Sequence, residues 1–165
     1  MSLADTIVQD YSPSELKANE LIRLWRRTKT PSSPTSAFLP GNIIYTRYAA
    51  VTPMVYDLNP VVIIIRANKR YVFGINVNWL SRFEKTKLLK FLMTKQAHKK
   101  SRLEMIPIIR AIRRFKFTKN AYRLYHRKEL ARPRVYKLTP RDLYDTLTRN
   151  MLKEYDPRLA RLAKR

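Results

Sequence analysis

The sequence predicts an α+β fold: a small antiparallel SH3-like β-barrel or curled sheet over about residues 41–80, flanked by N- and C-terminal helices. Three observations predict it. β-Branched and aromatic residues concentrate between Gly41 and Trp79 in short runs bounded by turn residues. Helix N-cap signatures stand on both sides of that stretch. The chain is also long enough for one domain with a real core, and 45% of it is hydrophobic.

The elements follow in order. Ser12-Pro13-Ser14-Glu15 is a capping box with Pro at the first helical position, so a helix is expected to about Arg27. Ala18, Leu21, Ile22, Leu24 and Trp25 fall on one broad face of it. Thr28 to Pro40, rich in Pro, Ser and Thr, is expected to be an extended linker. Asn42–Tyr48 and Val61–Ile65 have strand character, and Tyr71–Val77 makes a third strand. Ala67-Asn68-Lys69-Arg70 is the turn between the last two, and Gly74 marks a bulge or a close approach.

Helices then resume. Ser81-Arg82-Phe83-Glu84 opens one expected to reach about Ala97. Ser101-Arg102-Leu103-Glu104 opens another, which Pro107 should shorten or kink. Asn120 is a candidate cap for a helix to about Leu130. Val135–Leu138 is a candidate strand that would complete the sheet, within 134–138. Thr139-Pro140-Arg141-Asp142 caps a last helix with Leu143, Tyr144, Leu147 and Met151 on one face. The expected organisation is thus 1–40, N-terminal helix and linker; 41–80, small β core; and 81–165, basic helical region with a late strand.

Charge carries the functional information. The chain holds 35 Lys+Arg against 12 Asp+Glu, a net +23. Residues 1–20 are net −3, whereas residues 81–130 hold 16 basic and 3 acidic residues, net +13. Such a block repels itself unless something anionic lies against it. The candidate nucleic-acid or anion contacts are Lys85, Lys87, Lys90, Lys95, Lys99, Lys100, Arg102, Arg110, Arg113, Arg114, Lys116, Lys119, Arg123, Arg127 and Lys128. Phe115, Phe117, Tyr122 and Tyr125 interleave with them and are candidates to stack on unpaired bases. The alternative is a solvated helix surface over core aromatics. On an ideal helix Lys85, Lys87, Lys90, Lys95 and Lys99 spread around the axis, which fits a helix surrounded by anionic or acidic material, or long stems lying over apolar neighbours, rather than one face laid in a groove.

Other chemistries find little support. There is no cysteine, hence no disulfide or thiolate metal site. The two glycines cannot make a phosphate-cradling loop. His98 and His126 have no partner at ligand spacing, and no nucleophile–base pair or paired carboxylates are visible. No enzyme activity, cofactor or metal is therefore expected. The longest apolar run, Val61–Ile65, is far too short for a membrane span, and residues 1–10 do not look like a secretory signal.

A family resemblance adds to this. Pro40-Gly41-Asn42-Ile43-Ile44-Tyr45 precedes Val55-Tyr56-Asp57-Leu58-Asn59-Pro60 and a hydrophobic strand. Phe73-Gly74-Ile75-Asn76-Val77-Asn78-Trp79-Leu80 follows, then a helix, then Ala121-Tyr122-Arg123-Leu124-Tyr125 before Arg132-Pro133-Arg134-Val135-Tyr136-Lys137-Leu138. Over roughly residues 40–140 this order is similar to small virion-associated or DNA-end-associated proteins of large, T4-like tailed bacteriophages. The resemblance implies a non-enzymatic virion component, assembled in the host cytoplasm, in contact with other virion proteins and with DNA or another anionic surface. It implies neither a membrane nor a small-molecule substrate. Gly41, Tyr56, Asp57, Pro60, Gly74, Asn76 and Leu80 would be architectural. A second class suits the same charge: an RNA-binding ribosomal or ribonucleoprotein subunit with basic extensions.

Overall fold

Strands supply the frame. In the computed structural model, which describes residues 18–47, 59–130 and 134–148, five strands form one antiparallel sheet. They are β1 (Ile43–Thr46), β2 (Val61–Ala67), β3 (Tyr71–Asn76), β4 (Tyr122–His126) and β5 (Val135–Leu138), in the order β4-β3-β2-β1-β5. The fold is α+β, as expected, but the sheet is open: β4 and β5 are its edges and no barrel closes. On β5, Ser32 N donates to Val135 O at 2.8 Å, so the stretch expected to be an extended linker is tied to that edge.

Alternation along the strands gives the sheet two buried faces. Ile43, Tyr45, Val61, Ile63 and Ile75 point to the larger core. Four helices cover it: α1 (Ala18–Thr28), α3 (Arg82–Thr94), α4 (Arg102–Ile112) and α6 (Pro140–Thr148). Leu21 and Trp25, Leu88 and Leu92, Ile109 and Ile112, and Leu143 and Leu147 are their main contributions. This one core therefore draws on all three of the sequence stretches distinguished above. Leu24, grouped by periodicity with the buried face of α1, is 41% exposed.

Ile44, Val62, Ile64, Val72 and Val135 face the other way, onto a smaller core. Two single-turn helices lie over it: α2 (Pro34–Ala37) and α5 (Arg127–Leu130). Helix α2 forms inside the expected linker because Ser33 caps Ser36 N at 3.2 Å, Pro34 stands at N1, and Phe38 then buries its ring.

The remaining departures have local causes. Tyr122–His126 was expected to be helical but is strand β4, paired residue by residue with β3 and anchored by Tyr125 in the smaller core. Tertiary pairing overrides a weak helix signal there. Pro107 stands inside α4, yet the helix runs on through Ile112. The capping boxes at Ser81 and Ser101 both form, as does the Thr139–Asp142 cap of α6. Helix α3 ends at Thr94 rather than Ala97, with Gln96 left-handed at φ 53°. The Ser12–Glu15 box, Tyr56, Asp57 and Met151 lie outside the described residues.

Both glycines are positional. Gly41 sits at φ +94° with its Cα against the first turn of α4, and a Cβ would collide with Arg102 O. At Gly74 a Cβ would lie 2.5 Å from Ile63 O and 2.5 Å from Val62 Cγ1. Asn59, Asn76 and Asn78 form buried hydrogen bonds nearby: Tyr45 Oη to Asn59 Oδ1 at 2.9 Å, Asn76 Nδ2 to Tyr125 Oη at 3.0 Å, and Asn78 Nδ2 to Asn59 O at 3.0 Å. They tie the two faces and the loop end together.

Candidate nucleic-acid interface

The basic block divides once it is folded. Four of its members turn inward or serve the frame. Lys85 is only 3% exposed. Arg102 Nη1 donates to Pro40 O at 2.8 Å, and Arg127 Nη1 donates to Asn68 O at 2.9 Å while its guanidinium lies 5.3 Å from the Phe38 ring centre. Arg123 is half-buried, 3.4 Å from the Trp79 centroid. Lys90 and Lys100 are half-buried. Lys87, Lys95, Lys99, Arg110, Arg113, Arg114, Lys116, Lys119 and Lys128 stand in solvent. The lysines of α3 therefore do not ring the helix: Lys85 goes into the core beside Leu88, Leu89 and Leu92, and the charge is left on one side.

That side carries rings. Phe83, Lys87, Phe91 and Lys95 recur every fourth residue from the first turn of α3 to its C-cap, so they line one face. Lys87 Nζ is 4.5 Å from the Phe83 ring centre and 5.8 Å from that of Phe117. Phe117 stacks on Phe115 at 5.4 Å and 20°, Phe115 meets Phe91 edge-on at 4.9 Å, and Lys95 Nζ lies 5.8 Å from Phe91. The result is a ridge in which ammonium groups alternate with phenyl rings. A six-residue 3₁₀ segment, Lys116–Ala121, presents Phe117 between Lys116 and Lys119. Thr118 holds that segment: it is buried, and its single hydroxyl proton is shared between Ile112 O at the end of α4 and Phe115 O, each 2.9 Å away.

Of the four rings picked from sequence, Phe115 and Phe117 belong to the ridge. Tyr122 is half-buried and donates its hydroxyl to Arg113 O at 2.7 Å, and Tyr125 is in the smaller core. Phe83, 68% exposed, was missed. The four-residue spacing of Phe83, Lys87, Phe91 and Lys95 was its available signal.

Acidic side chains do little to neutralise this surface. Glu84 and Glu104 accept from the N-cap nitrogens of Ser81 and Ser101. Hydrogen bonding to Ser101 is the largest of the influences that hold the Glu104 carboxyl below its ordinary value. Asp142 caps α6 and pairs with Lys29 at 2.7 Å, joining α1 to α6. Neither Arg110, Arg114, Lys116 nor Lys119 pairs with an acidic residue among the described residues. His98 lies apart: its N–H donates to Tyr144 Oη at 3.1 Å, and burial, then Lys99 and Arg141, lower its pKa. Burial raises that of Tyr144, whose hydroxyl also bonds Leu92 O at 3.3 Å.

Among the described residues no group of three His, Cys, Asp or Glu is placed to hold a metal ion, and no helix is long and apolar enough to cross a membrane. The chain matches no protein-family model, no curated protein and no solved structure.

Proposed function

We propose that this chain is a non-catalytic, strongly basic structural component of a tailed-phage virion, packed among other virion proteins with its α3 ridge against nucleic acid. The observation that carries the nucleic-acid part is the alternation Phe83–Lys87–Phe117 with Phe91–Lys95 beside it. Ammonium groups neutralise phosphates and release counterions. Phe83, the exposed ring beside Lys87, offers a face on which an unpaired base stacks without reading sequence, while the half-buried Phe91, Phe115 and Phe117 pack against the larger core behind it. A duplex would meet the lysines but leave that ring unused. The preferred target is therefore DNA with unpaired bases. The virion assignment rests on the resemblance of residues 40–140 to phage proteins.

One feature also favours a second reading. Structured RNA offers unpaired bases in loops, so the same ridge suits a ribonucleoprotein subunit. The deciding experiment is titration of the full chain with oligo(dT), with blunt duplex DNA and with an RNA hairpin at one salt concentration. Tightest binding to the single-stranded DNA supports the first reading. Saturable binding to the hairpin with neither DNA bound replaces it with the second. Absence of binding to all three at low salt removes both.

A further inference from the structure

A second surface, lined by none of the ridge residues, lies where the end of β2 meets α4. The register of β2 on β3 shifts between Ile64 and Arg66: Ile64 pairs with Gly74, yet Arg66 pairs with Phe73. The extra residue is Ile65. A bulge of this kind puts two successive side chains on the same side of the sheet. Ile65 packs against the larger core, and Arg66 is brought over the Phe73 ring at 5.1 Å. A groove of about 350 Å³ opens beside them. Its floor is aliphatic, from Ile65, Ile106 and Ile109, and Arg66, Arg110 and Arg113 rim it. Gly41, which lacks a side chain, lines one end. Arg66 also borders a neighbouring groove of about 380 Å³, walled by Phe73 and by Leu124, which is 61% exposed on edge strand β4.

We infer that these two grooves, divided by Arg66, form a docking site for an extended acidic segment of a partner protein, with bulky apolar side chains on either side of a carboxylate. Charge complementarity and the lining select this occupant. Three exposed guanidinium groups call for anions, and a planar guanidinium matches a carboxylate in a two-bond fork. An aliphatic floor gains from a buried leucine or phenylalanine side chain and gives nothing to a phosphate. This site is independent of the ridge and of its ligand.

The test uses the full chain and fluorescein-labelled Glu-Glu-Phe-Asp-Leu-Glu-Glu, with Glu-Glu-Ser-Asp-Ser-Glu-Glu as the equally charged control. Anisotropy at near-physiological salt should show the apolar peptide binding at least about tenfold tighter than the control. Arg66→Gln and Arg110→Gln, both at exposed positions, should each weaken it roughly three- to tenfold. Phe83→Ala and Lys87→Gln on the ridge should leave it unchanged. Methyl NMR should show shifts at Ile65, Ile106 and Ile109. Equal binding of the two peptides overturns the proposal, as does binding insensitive to both arginine substitutions. Oligo(dT) shifting those same methyls when the peptide does not would make the groove a nucleic-acid channel and overturn it too.

Discussion

Truncating Phe83 to Ala separates stacking from charge. The ring is 68% exposed on the first turn of α3, touches Lys87 and has no place in either core, so its removal should change stability by less than about 0.5 kcal/mol. If a base stacks on it, binding of oligo(dT) should lose about 1–3 kcal/mol, roughly 5- to 150-fold. Duplex binding, which uses the lysines alone, should change by less than about twofold. Fluorescence anisotropy of the two labelled DNAs at one salt concentration measures both, with thermal melts to verify the fold. Equal losses for single strand and duplex would mean that Phe83 acts only by positioning Lys87. No loss for either would remove stacking on this ring from the mechanism.

Other substitutions probe the frame. Ile64→Ala, wholly buried in the smaller core, should cost about 2–5 kcal/mol in urea unfolding, and a loss under about 0.5 kcal/mol would contradict the two-faced sheet. Gly74→Ala should cost about 1–3 kcal/mol, because the new Cβ meets the rigid Ile63 carbonyl, and a neutral result would show that β2 and β3 can part. Thr139→Ala removes the α6 cap and should cost about 0.5–2 kcal/mol by the same assay. His98 titrates below its ordinary value when folded, so the unfolded chain takes up the proton first. Stability should be fully present above about pH 6.5 and fall as the pH drops from there toward the lowered folded value. His98→Gln should flatten that fall in urea midpoints measured across the window, and an unchanged slope would mean that another group titrates there.

Much of the frame was legible because it rests on local chemistry. Ser81, Ser101 and Thr139 announce their helices through reciprocal side-chain bonds that need only four residues. The branched run at Val61–Ile65 could only be a buried strand at that length. Sheet closure was not legible, since it depends on which strands meet at long range: β4 and β5 pair with β3 and β1 and never with each other. Strand β4 itself was misread because Tyr122–His126 owes its conformation to β3, more than forty residues back. Charge pointed to residues 81–130 as the basic stretch. It could not show that Lys85 points inward or that Arg102 and Arg127 hold main-chain carbonyls. The bulge that re-aims Arg66 follows from the offset of β2 against β3, which a single strand's sequence does not carry.

The salt dependence of oligo(dT) binding tests the central claim most directly. Each lysine that neutralises a phosphate should contribute about −0.7 to the slope of log affinity against log salt on a single strand. Replacing Lys87, Lys95, Lys116 and Lys119 together by Gln should therefore flatten the slope by roughly 3 if all four contact phosphates. All four are exposed, and the fold should survive. An unchanged slope would place the phosphates elsewhere and leave the ridge as a surface for protein.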